Sequence, residues 1–171
     1  PAIFVALILG FVTIYKKHLS PITVPIYAVI QGVFLGAISY TFNSLYDGIV
    51  ITAISYTLSI LFVMLTLYRT GIIKPTENFK LGVAAGTCGI ALIYLANFVM
   101  SFFGTGLSIM DINNASMYSI GFSLLVIVMA SLNLVVDFDF IEEGSEKRAP
   151  KYMEWYGAFG LLVTLIWLYL E

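Results

Sequence analysis

The chain has 171 residues, 60% of them hydrophobic and 11% charged, with a net charge of −2 and a mean hydropathy of +0.99. A soluble domain carries about 25% charged residues, so this composition excludes a water-soluble globular fold. With no basic patch interleaved with aromatics, it also excludes a nucleic-acid binder.

Six helical segments are predicted in chain order. The first covers residues 1–15 and is apolar from its start. As a helix it rises roughly 22 Å, which is short for a full span. It lacks the preceding basic region and the small-residue cleavage site of a signal peptide. A tight turn, Lys16-Lys17-His18-Leu19-Ser20-Pro21, leads into the second segment at residues 22–42, with Pro25 in its first turns, where a missing N–H is tolerated. The third segment covers 48–68, the fourth 79–103 and the fifth 115–136. The last begins between 152 and 161 and is still apolar at the end of the sequence. Pro75 and Pro150 fall in turns and stop helices. These runs are too long and too uniformly apolar for β-barrel strands. The expectation is an all-α, polytopic helical membrane protein, a single transmembrane domain over residues 1–171. The complete protein is expected to have a further first helix and the rest of the last.

All eight Lys and Arg residues fall in three short stretches: Lys16 and Lys17; Arg69, Lys74 and Lys80; Lys147, Arg148 and Lys151. The alternate turns carry Asp47 and Asp111. Basic residues accumulate on the cytoplasmic side of a membrane, so loops 16–20, 69–80 and 142–151 are predicted to be cytoplasmic. Short loops make successive helices antiparallel neighbours. Cys88 stands alone, so no intramolecular disulfide is possible. Gly32 with Gly36, and Gly82 with Gly86, have the four-residue spacing that lets helix backbones approach closely. Trp155, Tyr156 and the Gly157/Gly160 pair would allow a break early in the last helix.

Few residues could carry chemistry. Asp137 follows directly on the fifth apolar run, and Asp139 comes two residues later, so the two carboxylates do not share a helical face. Asp137 is the deeper of the two; from spacing alone a solvated helix end explains it equally well. Glu142, Glu143 and Glu146 read as solvent-facing. Glu171 ends a long apolar run and is either interfacial or held at membrane depth, where an ionisable group faces a partner or a cavity. If Asp137 and Glu171 met, they could share a proton and, once ionised, offer a weak, transit-type Ca²⁺ site. An unbroken helix from Tyr152 to Glu171 would rise about 28 Å and separate them, so the pair requires a break or an interfacial stretch over 152–160. Gln31, Asn97 and Asn133 are the polar residues deepest in helices; each either bonds across a helix interface or lines a path. Asn113 and Asn114 read as an outer loop. Ser131 and Thr164 can bond to their own helix backbone. His18 is the only histidine and supports no zinc site. Nucleotide-binding, zinc-protease and serine-nucleophile motifs are absent, so the chain is predicted not to be an enzyme and to need no cofactor.

Three strings carry a resemblance: residues 25–39, from Pro25 through Gln31, Gly32 and Gly36 to Ser39; Leu132-Asn133-Leu134-Val135-Val136-Asp137-Phe138-Asp139-Phe140-Ile141-Glu142; and residues 149–161, from Ala149-Pro150-Lys151-Tyr152 to Leu161. On these the chain resembles the Bax inhibitor superfamily, in its bacterial YccA-like branch, over nearly its whole length. That resemblance implies a seven-helix bundle with the last helix central. It implies a pH-sensitive Ca²⁺ leak channel of a bacterial plasma membrane, sensed by one acid near the cytoplasmic end of the penultimate helix and one in the last. Asp137 stands at the first position and Glu171 matches the second, where many relatives have Asp. The connection between the two acids is longer here. The implied partners are the lipid bilayer, Ca²⁺ and H⁺. The alternative is a non-conducting membrane regulator that binds a membrane protease or a stress-response complex.

Overall fold

The computed structural model describes residues 2–107 and 116–171, and over these it is all-α. Six helices follow one another: α1 (Ala2–Tyr15), α2 (Ser20–Leu45), α3 (Ile49–Arg69), α4 (Glu77–Phe102), α5 (Met117–Glu146) and α6 (Tyr152–Leu170). A 3-10 turn, Lys17–Leu19, joins the first two. Helices α2 to α6 are long and apolar enough to cross a membrane, and α1 is shorter. Large apolar side chains such as Val29, Val33, Ile51, Phe62 and Leu81 point outward all round the bundle. Water would penalise that belt, whereas lipid accommodates it.

Local chemistry sets the helix ends. Thr76 and Ser116 sit just before α4 and α5, and their hydroxyls accept the N–H groups of Phe79 and Ser119. Gly71 and Gly104, at φ +72° and +74°, close α3 and α4 in the left-handed conformation that a side chain would strain. Helix α2 starts two residues before the predicted position, so Pro25 is its sixth residue and lies inside the helix. Helix α5 departs further from expectation. It runs ten residues beyond Val136, so Asp137 and Asp139 are inside it rather than at its end. Asp137, Asp139, Glu142 and Glu143 find partners described below, which removes the reason to stop there. The helix ends where Arg148 turns to φ +48°, Ala149 N–H bonds the Gly144 carbonyl, and Pro150 follows.

Helix α6 lies between α2, α3 and α5 and contributes to two cores. Phe159 joins Ala6, Val24 and Tyr27 of α1 and α2. Leu168 joins Met64 of α3 and Ala130, Leu134, Val135 and Phe138 of α5. Leu134 is fully buried. Leu134→Ala is expected to cost about 3 kcal/mol, by lost contacts and a residual cavity, read as a fall in the thermal midpoint of the detergent-solubilised protein.

The glycines do not work where their spacing suggested. A Cβ at Gly32, Gly36 or Gly82 would meet nothing within 4 Å, so those patterns face outward; only Gly86 is packed, against Met129 of α5. Close approach occurs instead between α5 and α6. A Cβ at Gly157 would lie 3.0 Å from Ile141, and one at Gly160 would lie 3.2 Å from Asp137. These two glycines do not break α6, which is continuous from Tyr152 to Leu170. Their missing side chains let it seat on α5.

The basic connections gather at one end. The Lys17 ammonium lies 5.0 Å from the centre of the Tyr156 ring, Lys80 pairs with Asp139, and the Tyr68 hydroxyl bonds Glu142. Asp47 is exposed in the α2–α3 turn at the opposite end. Asp111, Asn113 and Asn114 lie outside the described residues.

Candidate functional site between the last two helices

Asn133 and Asp137 are one helical turn apart on α5, and Gly160 and Thr164 are one turn apart on α6. That spacing puts each pair on one face, and the two faces meet. The Thr164 hydroxyl is the hub. It donates to Asp137 Oδ2 at 2.6 Å and accepts from Asn133 Nδ2 at 3.0 Å. The Gly160 carbonyl, at 3.2 Å, is a second acceptor in reach of the same proton. A threonine hydroxyl has one hydrogen to give, so the closer carboxylate takes the better geometry. Thr164 is 2% exposed, and the other oxygen of Asp137 sits in the notch left by Gly160. Among the described residues no cation pairs with Asp137. Its ligands are neutral.

Asp139 is different. Lys80 of α4 reaches its Oδ2 at 2.5 Å and approaches Glu77 at 3.6 Å. It is an interhelical ion pair at the basic end, its charge already compensated. Glu142 accepts from Tyr68, and Glu143 pairs with Lys147 one turn on, so these exposed acids also have protein partners.

Glu171 has its own site. Tyr94 of α4 donates to Oε2 at 2.5 Å and Ser123 of α5 donates to Oε1 at 2.9 Å. Nearby, the hydroxyls of Tyr169 and Ser39 bond at 2.5 Å and tie α6 to α2. A cavity of about 220 Å³ adjoins Glu171, with Thr52, Tyr56 and Thr57 of α3 on its far wall. The predicted pairing of Asp137 with Glu171 is not formed. From Ser123 to Asp137 α5 rises about 21 Å, and unbroken α6 carries Glu171 away from the basic end. The break that would have let the acids meet is absent, because Gly157 and Gly160 are used for packing.

The remaining polar candidates separate. Asn133 bonds across the helix interface, as one of its two readings had it. Gln31 donates to Tyr27 within α2 at 3.0 Å, beside a cavity of about 250 Å³ between α1, α2 and α6. Asn97 accepts the Leu107 N–H at 2.8 Å and shapes the segment after α4. His18 and Cys88 are exposed. Ser131 bonds the Ile127 carbonyl of its own helix, as expected. Thr164, by contrast, does more than bond its own backbone. Nothing in the sequence singles out Tyr94 or Ser123, and for Thr164 the local sequence points only to the backbone bond. The signal for Thr164 was present: two polar or small residues four apart on α5, then again on α6.

No group of three or more His, Cys, Asp or Glu residues that could hold a metal occurs among the described residues. Comparison with curated proteins and with solved structures gave no match. The family model described as Bax inhibitor 1 like matches residues 1–171. A multi-spanning helical chain matched from end to end by that family belongs to it: this protein is a member of the Bax inhibitor 1 like family of transmembrane proteins, which are not catalytic enzymes.

Proposed function

We propose that this protein is a passive, proton-regulated Ca²⁺ leak channel of a bacterial plasma membrane, with its basic connections in the cytoplasm. The observation that carries the reading is the setting of Asp137: a carboxylate inside the α5–α6 interface, served by the neutral donor Thr164 and by no cation among the described residues. Ionised, Asp137 accepts a hydrogen bond and leaves a charge without a partner. Protonated, it becomes a donor and must find an acceptor. The packing of α5 on α6 therefore depends on one proton.

Glu171 is a second, separate acidic station near the other end of α5. Both acids, ionised, offer hard oxygen ligands. One carboxylate per station makes for brief contact, which suits an ion in transit; Ca²⁺ is cargo here. Between the stations α5 buries Val126, Ala130 and Leu134 completely, the last two packed with Leu168 and Met64. Ion passage requires this layer to part, so the arrangement described is the closed one in this reading.

That same apolar layer favours the alternative, a non-conducting regulator that binds a membrane protease or a stress-response complex through its lipid-facing surface. Ca²⁺ flux into dye-loaded liposomes, from mildly acidic to mildly alkaline pH, decides between them. A pH-dependent flux that becomes pH-independent in Asp137→Asn is expected. No flux from the intact protein at any pH would remove the channel reading and leave the regulator.

A further inference from the structure

We propose that Thr164 is a positioning residue for Asp137: with Asn133 orienting its oxygen, the Thr164 hydroxyl holds the carboxylate in the notch at Gly160. The proposal rests on the reading of Asp137 as the responsive acid.

Three distances define the device. The hydroxyl is 2.6 Å from Asp137 Oδ2, 3.0 Å from Asn133 Nδ2 and 3.2 Å from the Gly160 carbonyl. Threonine hydroxyls in helices ordinarily bond the carbonyl one turn back, and most described here do so: Thr41, Thr52, Thr57 and Thr66 bond residues 37, 48, 53 and 62. Thr164 has that option and turns toward the carboxylate, the shorter and charge-assisted bond. Asn133 explains the choice. Its amide occupies one lone pair of the hydroxyl oxygen and leaves the hydrogen directed at the neighbouring carboxylate. Gly160 completes the arrangement, because a Cβ there would stand 3.2 Å from Oδ1, a tight contact that the carboxylate relieves only by shifting a few tenths of an ångström. The consequence is a single carboxylate orientation, with one oxygen covered by Thr164 and the other against the α6 backbone.

The test is labelling of the purified full protein in detergent micelles with a membrane-permeant carbodiimide, with the rate at Asp137 read by mass spectrometry. Thr164→Val keeps the shape and removes the hydroxyl; labelling of Asp137 is expected to rise about tenfold, the scale of one hydrogen bond to a charged group. Thr164→Ser keeps the hydroxyl and is expected to label near the unmutated rate. Gly160→Ala displaces the carboxylate with Thr164 intact and is expected to label faster as well. An unchanged rate in Thr164→Val, or a Thr164→Ser rate as fast as that of the valine variant, overturns the proposal. If the valine variant does not fold, an unchanged rate in Gly160→Ala overturns it instead. No ion flux enters the measurement, so it stands or falls separately from the leak-channel reading.

Discussion

Neutralising Asp137 and Glu171 together is expected to change Ca²⁺ flux by the product of the two single effects. Asp137→Asn keeps an oxygen for Thr164 to bond, and Glu171→Gln keeps one for either Tyr94 or Ser123, so each variant removes ionisation with little change of shape. The two acids share no hydrogen-bond partner, and Glu171 lies seven residues, about 10 Å, further along α6 than the Thr164 that bonds Asp137. Sites that far apart add to within about 0.5 kcal/mol, roughly twofold in rate. A proton-sharing pair would behave otherwise: after the first neutralisation the second would change little. The measurement is initial flux at one mildly acidic and one mildly alkaline pH, for the unmutated protein, both single variants and the double variant. A departure from the product by more than about fivefold, near 1 kcal/mol of coupling, would mean that the acids communicate directly and that the conducting form brings them together.

Gly157→Leu is expected to unseat α6 from α5. A Cβ at this position would already stand 3.0 Å from the Ile141 side chain, with Phe140 at 3.8 Å, and leucine adds three more carbons. Both neighbours are partly exposed, Ile141 at 41% and Phe140 at 38%, so they can yield only by turning outward and giving up their contact with α6. Overpacking typically costs about 1–3 kcal/mol, and a substitution on the backbone-contact face of the helix shared by both cores belongs at the upper end. Lost packing between membrane helices is not repaid by the hydrophobic effect, since lipid is as apolar as leucine. The thermal midpoint and the monodisperse fraction in detergent should both fall. Gly32→Leu is the control. Nothing lies within 4 Å of a Cβ there, and leucine is the better helix former, so this variant should be at least as stable as the parent. Equal melting of Gly157→Leu and the parent would refute close packing of α5 on α6 at this glycine.

The contrast between those two glycines locates the limit of reading along the chain. Four-residue glycine spacing points to Gly32 and Gly36, which face outward, whereas Gly157 and Gly160, whose composition would allow a break, are contact points. Spacing records which residues share a face of one helix, but not which face another helix covers. The end of α5 shows a second limit. An apolar run stops at its first acid, whereas helix hydrogen bonding stops only where a carbonyl lacks a donor, and Asp139 had a lysine waiting on α4. Tyr94 and Ser123 were illegible for a related reason: a tyrosine and a serine in apolar helices are unremarkable until Glu171 is placed between them.

What could be read directly from the amino acids was everything governed by local or one-dimensional physics. Apolar length and the clustering of basic residues dictate a multi-spanning helical bundle, because a backbone in hydrocarbon must satisfy its own polar groups within each helix. Prolines and capping residues place most of the turns. Which acid meets which partner was settled by packing in three dimensions. Asp137 and Glu171 belong to adjacent helices and could be joined on paper, but two glycines let α6 lie straight along α5, and a straight α6 carries Glu171 seven residues, about 10 Å, past the Thr164 that meets Asp137.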